Sequence, residues 1–284
     1  MSDGNLHIGF IGGGNMARAI IGGLLEAGHD PGCLSVAEPD ARQHDKLRAL
    51  HDELHISHSN AEVDELAETL VLAVKPQILA TVLTDLRQVS RPAGQVVVSI
   101  AAGISLSTLE VALTASQPIV RIMPNQPALV GAGMSVLIGN ATVGGTERER
   151  AQRVAEAIGQ SVWIEDESLM DAVTAVSGSG PAYFYLLMEI MESCAREMGL
   201  PEKLAATLTR QTALGAGRVA VESALDLRSL RESVTSKGGT TAAAIEVLED
   251  ARIRDIFARA LEAARDRSTE LGTPGEMAGH SEKE

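Results

Sequence analysis

The sequence predicts an α/β N-terminal domain built on a doubly wound, mostly parallel sheet, followed by an all-α C-terminal domain. Three observations carry this. Short apolar runs of strand type recur up to about Asp166. Segments with helical spacing lie between most of them. After residue 165 strand signals disappear and only helical stripes remain. Continuous apolar strands separated by helices indicate a parallel sheet covered on both faces. A length of 284 residues suits one large domain or two ordinary ones. The expected division is 1–165 and 166–272, with 273–284 as a frayed or disordered tail.

The strand-type runs are residues 7–12, 34–38, 69–74, 95–101, 118–123, 133–139 and 161–165, and residues 55–57 start a further strand. In the first helical segment Met16, Ile20 and Leu24 fall at i, i+4 and i+8, on one face. In the second half Leu187, Ile190, Met191, Cys194 and Met198 form one stripe. Leu204, Leu208, Gly215 and Val219 form another, and Ile253, Ile256, Phe257, Ala260 and Leu261 a last one. Ala213, Gly215, Ala216 and Gly217 let helix backbones approach closely. That suits either an interlocked interface between subunits or ordinary packing within one.

Composition excludes several classes of function. Apolar residues make up 45% and charged residues 22%, so a packed core is affordable. Lys and Arg number 24 against 38 Asp and Glu, a net charge of −14 that repels phosphate backbones. One Trp, two Tyr and three Phe leave little for base stacking. Cys33 and Cys194 are too far apart for a CxxC pair and fit buried free thiols in a reducing cytoplasm. The N-terminus lacks the pattern of a signal peptide, and no apolar run approaches a bilayer span. His44, His51, His55 and His58 cluster in sequence, but the strand start at 55–57 breaks any common helical face. They read as a solvated polar segment, and no metal site is expected.

The first chemical signal is "HIGFIGGGNMARAI" at 7–20. A strand leads into Gly12-x-Gly14-x-x-Ala17 and then a helix. Gly12 permits the tight turn, Gly14 lets a pyrophosphate approach the backbone, and small Ala17 packs helix on strand. The helix N-terminus offers unpaired N–H groups to the anion. The alternative is a plain structural glycine turn. Strand–turn–helix context and a following strand point to a Rossmann-type dinucleotide fold. Glu38 closes the second strand, where an acid usually accepts from an adenosine ribose and favours NADH; a solvated strand end is the other reading. Arg42, four residues on, could reach the 2′-phosphate of NADPH instead.

Two more strands end in ligand-suited turns. Lys75 and Pro76 end "AVKP", and Ala101, Ala102 and Gly103 end "SIAAG", small enough for a flat ring to approach. "RIMPNQP" (121–127) places Asn125 between Pro124 and Pro127. "VSGSGPAY" (176–183) precedes a helix whose first residue is expected to be Pro181. "SVTSKGGTT" (233–241) sets Ser236, Thr240 and Thr241 around a Gly-Gly turn. Backbone N–H groups, short hydroxyls and a helix dipole make such a turn a carboxylate cradle, or simply an N-cap.

The set "GFIGGGNMA", "AVKP", "SIAAG", "RIMPNQP", "DAVTAVSGSGPAYF" and "VTSKGGTTAAAI", in this order, resembles the pyrroline-5-carboxylate reductases. The likeness runs from about residue 7 to 271. It implies an oxidoreductase of the CH–NH class in proline biosynthesis, cytoplasmic, reducing L-1-pyrroline-5-carboxylate to L-proline. Hydride would go from NADPH, the family default, to the protonated imine carbon, with NADH possible because of Glu38. It also implies a C-terminal dimerisation domain and a homodimer, assembled in some cases as a decamer of five dimers. By position, Gly12, Gly14, Asn15 and Met16 would meet the pyrophosphate. Asn60, Ala73, Val74, Lys75 and Pro76 would line the cofactor cleft, and Ala101 and Ala102 would face the nicotinamide. Ser236, Gly239 and Thr240 would cradle the substrate carboxylate, with the Thr241 hydroxyl at the ring nitrogen as the catalytic group.

The sequence departs from the family at Lys237, which usually is proline, and at Gln126, where threonine is common. A β-hydroxyacid dehydrogenase is the first competing reading. Such enzymes carry a catalytic lysine early in the helical part, whereas the lysines here are Lys203, Lys237 and Lys283. A non-catalytic dinucleotide sensor is the second, and it has no use for the hydroxyl-rich loop.

Overall fold

The computed structural model describes residues 6–87, 89 and 91–272; the expected tail at 273–284 lies outside the described residues. Eight strands form one sheet: β1 Ile8–Ile11, β2 Leu34–Ala37, β3 His55–Ser57, β4 Thr69–Leu72, β5 Val96–Ser99, β6 Ile119–Met123, β7 Gly133–Gly139 and β8 Gly159–Trp163. Their order is β3-β2-β1-β4-β5-β6-β7-β8. Every pairing is parallel except β6 with β7. The exception has a local cause. A parallel return needs a crossover of a dozen or more residues. Only a short link through Gln126–Val130, ending at Gly131 with φ +66°, joins β6 to β7, so the chain comes back antiparallel.

The connecting helices are α1 Asn15–Glu26, α2 Ala41–Arg48, α3 Asn60–Leu66, α4 Pro76–Leu86, α5 Leu106–Ala112 and α6 Gly145–Glu156. Both sheet faces are covered, as continuous apolar strands require. Phe10, Val36, Val98 and Val120 pack with Ile20, Ile21 and Leu24 of α1 and Val154 of α6. Leu70, Leu72, Val97 and Ile119 pack with Val63 of α3, Leu79 and Leu83 of α4 and Leu109 of α5. Gly9 is needed because α3 crosses directly over β1: a Cβ there would lie 2.8 Å from Ala67 Cβ.

The chain continues as α7 Met170–Val173, a π-helical turn Thr174–Gly178, α8 Gly180–Glu197, α9 Glu202–Glu222, α10 Leu227–Ser233, α11 Thr240–Asp250 and α12 Ile253–Leu271. Helix α8 starts at Gly180, one residue before the expected Pro181. Strand β8 starts two residues before its expected position, because the backbone of Gly133 needs a partner at Gly159.

Two compact units emerge. One runs to Gly178 and resumes from Ala264; the other is Ser179–Ala263. Residues 167–178 stay with the sheet for visible reasons. The buried Arg121 guanidinium donates to Glu167 at 2.8 Å, and Asn125 donates to the Ser177 carbonyl at 3.2 Å. The last turn of α12 joins the same unit, because the Ser268 and Thr269 hydroxyls donate to the Asp171 carboxylate at 2.7 and 2.8 Å.

In the helical unit α8 and α9 pack on each other. The apolar stripes foreseen there remain largely open in the single chain: Ile190, Met191, Met198, Leu204, Leu208 and Val219 are exposed, and so is Cys194, expected as a buried thiol, while Cys33 is only half-buried. Helices with such faces need a further apolar partner.

Candidate active site

The glycine turn follows β1. Gly12 has φ +98°, which only glycine adopts without strain, and a Cβ there would lie 2.9 Å from Val74 Cγ1 and 3.0 Å from the Ala73 carbonyl. Ala73 and Val74 therefore border the turn. Gly14 is the N-cap of α1 in extended conformation, with no side-chain cap, and a Cβ on it would meet nothing within 4 Å. No side chain caps the first N–H groups of α1, and the space beside Gly14 is open. That is the cradle a pyrophosphate fills, so the residues present fit a dinucleotide.

Glu38 stands one residue beyond β2. Its carboxylate accepts the Gly13 N–H at 2.8 Å and the Asp40 N–H at 2.9 Å. The acid expected at the ribose is thus also a brace of the turn. Arg42 is turned to Asp40, whose carboxylate takes its Nε at 2.9 Å and caps α2 through the Arg42 N–H at 3.0 Å. That contact holds the Asp40 carboxyl below the usual carboxylate range. Both side chains are solvated, so the pair is a weak tether. Arg18 was invisible to motif reading. Its guanidinium donates to the Gly13 carbonyl at 2.8 Å, to Gln43 Oε1 at 3.0 Å and to Asn15 Oδ1 at 2.5 Å. Only its position one helical turn past Gly14 could have suggested it.

The turns after β4 and β5 lie on the same edge of the sheet. Lys75 is the N-cap of α4 and Pro76 opens that helix. Ala101 is buried, Ala102 is exposed and Gly103 has φ +75°. Asn60 opens α3, and its side chain makes no hydrogen bond among the described residues. The last turn of α12 abuts this edge: a Cβ on Gly103 would lie 3.5 Å from the Leu271 carbonyl. The histidines that cluster in sequence are not all solvated as expected: His44 is buried, with its ring centroid 4.8 Å from that of His58. His44 Nε2 contacts the Glu38 carbonyl at 2.7 Å, while His55 pairs with Glu62 at 2.8 Å.

In the helical unit, residues 236–241 form a closed turn between α10 and α11. Gly238 has φ +74°, and the Gly239 N–H donates to the Ser236 carbonyl at 3.0 Å. Gly239 is the N-cap of α11 and makes no side-chain cap. A Cβ on it would lie 2.5 Å from Ser236 Oγ, so glycine is needed for the serine hydroxyl to sit at the helix end. The Ser236, Thr240 and Thr241 hydroxyls make no hydrogen bond among the described residues, and Lys237 is exposed with no ion pair among them. Hydroxyls and uncapped N–H groups at the N-terminus of α11, an 11-residue helix, form a donor set for a small carboxylate.

Comparison with known proteins follows the same two halves. A family model described as pyrroline-5-carboxylate reductase dimerisation matches residues 167–271, and one described as NADP oxidoreductase coenzyme F420-dependent matches 7–103. The pyrroline-5-carboxylate reductase of Pseudomonas aeruginosa is 44% identical over 265 residues, 93% of this chain and 96% of that protein. The chain belongs to the pyrroline-5-carboxylate reductase family.

The family's enzyme from Haemophilus influenzae is 42% identical over 94% of this chain and 97% of its own. A solved pyrroline-5-carboxylate reductase from Coxiella burnetii superposes with TM-score 0.90 at 38% identity, over 95% of this chain and 99% of that one. The Plasmodium falciparum pyrroline carboxylate reductase, solved with NADP bound, has TM-score 0.83 at 29% identity over 95% and 99%. This chain is accordingly an NAD(P)-dependent oxidoreductase of that family, with a Rossmann-type N-terminal part and a helical dimerisation region. Among the described residues no helix is long and apolar enough to cross a membrane.

Proposed function

We propose that this chain reduces L-1-pyrroline-5-carboxylate to L-proline in the cytoplasm, with residues 1–165 binding the dinucleotide and 166–272 serving the substrate and dimerisation. The observation that carries this reading is the closed turn at 236–241. Its Gly239 has room for the Ser236 hydroxyl and not for a Cβ. Ser236, Gly239 and Thr240 hold the substrate carboxylate, and Thr241 directs its hydroxyl at the ring nitrogen. When bound, the reduced dinucleotide supplies the hydride. Gly12, Gly14, Asn15 and Met16 hold its pyrophosphate. Asn60, Ala73, Val74, Lys75 and Pro76 line its cleft, and Ala101 and Ala102 border its nicotinamide.

The donor set suits the chemistry. A protonated cyclic imine is already a good hydride acceptor and needs alignment more than a strong acid. Hydroxyls and backbone amides supply alignment, and water supplies the proton that the imine nitrogen carries. No carboxylate or imidazole is present in the 236–241 turn.

NADPH is the cofactor by family likeness, supported by the NADP named for the matching family model and for the Plasmodium relative. One observation favours NADH as a second reading. Glu38 stands at the ribose side with Arg42 drawn to Asp40, so a 2′-phosphate would meet a carboxylate first. A homodimer through the helical unit, extended to a decamer of five dimers, would cover the exposed stripes of α8 and α9.

The test is one assay. Purified protein is given pyrroline-5-carboxylate with NADPH or NADH, and nicotinamide absorbance and proline are followed. Equimolar proline formation supports the reading. Absence of substrate-dependent oxidation with either cofactor overturns it.

A further inference from the structure

We propose that Asn125 is a positioning residue for hydride transfer, acting through Ser177 to fix the π-helical turn Thr174–Gly178 beside the nicotinamide. The two motifs "RIMPNQP" and "VSGSGPAY" have no role in the reading above, yet the structure joins them. Asn125 Nδ2 donates to the Ser177 carbonyl at 3.2 Å and lies 3.4 Å from its Oγ. Asn125 Oδ1 accepts the Met134 N–H at 2.9 Å. Both ends of the amide are thereby used, and its orientation is settled: reversed, an NH2 would face the Met134 N–H. Pro124 and Pro127 stiffen the chain around it. Two residues before Asn125, at the end of β6, Met123 reaches the turn itself, where a Cβ on Gly178 would lie 2.6 Å from Met123 Cε.

Topology gives the place. The phosphate turn follows β1 and Glu38 follows β2, so the adenosine side lies toward β2. The order β2-β1-β4-β5-β6 sets the ends of β5 and β6 on the opposite side. These strands are parallel, with Ser99 opposite Arg121. Residues 101–103 and 123–125 therefore leave the sheet side by side. This rests on the proposed reading that Ala101 and Ala102 border the nicotinamide. The Thr174–Gly178 turn is wider than an α-turn, a conformation that costs regular hydrogen bonding and recurs at functional sites. Asn125 supplies an external donor to its Ser177 carbonyl. A ring that must present one carbon to an imine tolerates little displacement of its wall.

The experiment compares wild type, Asn125→Asp and Asn125→Ala. Aspartate still accepts the Met134 N–H but cannot donate to Ser177, so it separates positioning from simple support of β7. Two readouts are taken: kcat with its primary isotope effect from cofactor deuterated at the transferred position, and the nicotinamide fluorescence of bound reduced cofactor. The second does not depend on the substrate, so it judges Asn125 even if wild type fails to turn over pyrroline-5-carboxylate. Expected for Asn125→Asp is a kcat about tenfold lower with a larger isotope effect and KM for substrate nearly unchanged, together with altered fluorescence. Asn125→Ala follows it where it folds. An aspartate variant with wild-type kcat, or with wild-type fluorescence of the bound cofactor, overturns the proposal.

Discussion

The Glu38 carboxylate accepts the Gly13 amide hydrogen at 2.8 Å. The acid proposed to face the ribose therefore also holds the glycine turn in shape, and its removal should act on both.

Cofactor choice follows from that contact. A 2′-phosphate carries about two negative charges and is repelled by a carboxylate at contact range. Glu38→Ala should raise the ratio of kcat/KM for NADPH to that for NADH about tenfold over wild type. Steady-state rates with both cofactors measure it. An unchanged ratio would remove Glu38 from the ribose site.

Thr241 is expected to align the substrate ring through its hydroxyl. Thr241→Ala should lower kcat/KM for pyrroline-5-carboxylate by roughly one to two orders of magnitude. Thr241→Ser should keep most of the activity, since the hydroxyl remains. Wild-type kinetics in the alanine variant would exclude the residue from the reaction.

Neighbouring glycines of α1 should answer oppositely to the same change. At Gly23 a Cβ would lie 1.7 Å from the Ala157 carbonyl, so Gly23→Ala must part α1 from the end of α6. A loss of about 1–3 kcal/mol is expected from such overpacking. At Gly22 a Cβ meets nothing within 4 Å, and alanine there should gain about 0.5–1 kcal/mol of helix propensity. Thermal denaturation of the two variants should bracket wild type.

Acid should weaken the N-terminal unit through His29. Burial, above all, lowers its imidazole below the ordinary 6.5, with Arg153 adding to the fall and the Leu6 and Cys33 carbonyls and Asp30 opposing it. Its Nε2 is buried without a hydrogen-bond partner. The folded state thus keeps His29 neutral, while the unfolded chain takes up a proton near 6.5. The stabilisation is complete above about pH 6.5 and is lost as pH falls from there toward the folded value. His7 shifts the same way, for the same first cause. Urea midpoints should drop between about pH 7.5 and 5.5, and drop less in His29→Gln. Equal drops in both proteins would assign the acid sensitivity elsewhere.

Much of the molecule was legible in one dimension. Apolar runs such as 70–72 and 96–98 announce central parallel strands because burial on both faces favours an apolar side chain at every position. Gly12 and the Gly-Gly turn before α11 announce themselves because no other residue tolerates their backbone or their close approaches. What tertiary structure alone decided is which distant groups meet. No periodicity or motif announces the pairing of Arg18 with Gln43, Arg121 with Glu167, Asn125 with Ser177 or Asp171 with Ser268. Local rules act over a turn or a strand pair, whereas these polar contacts pair residues up to 97 positions apart. Their partners are chosen only when the sheet order brings them within hydrogen-bonding distance.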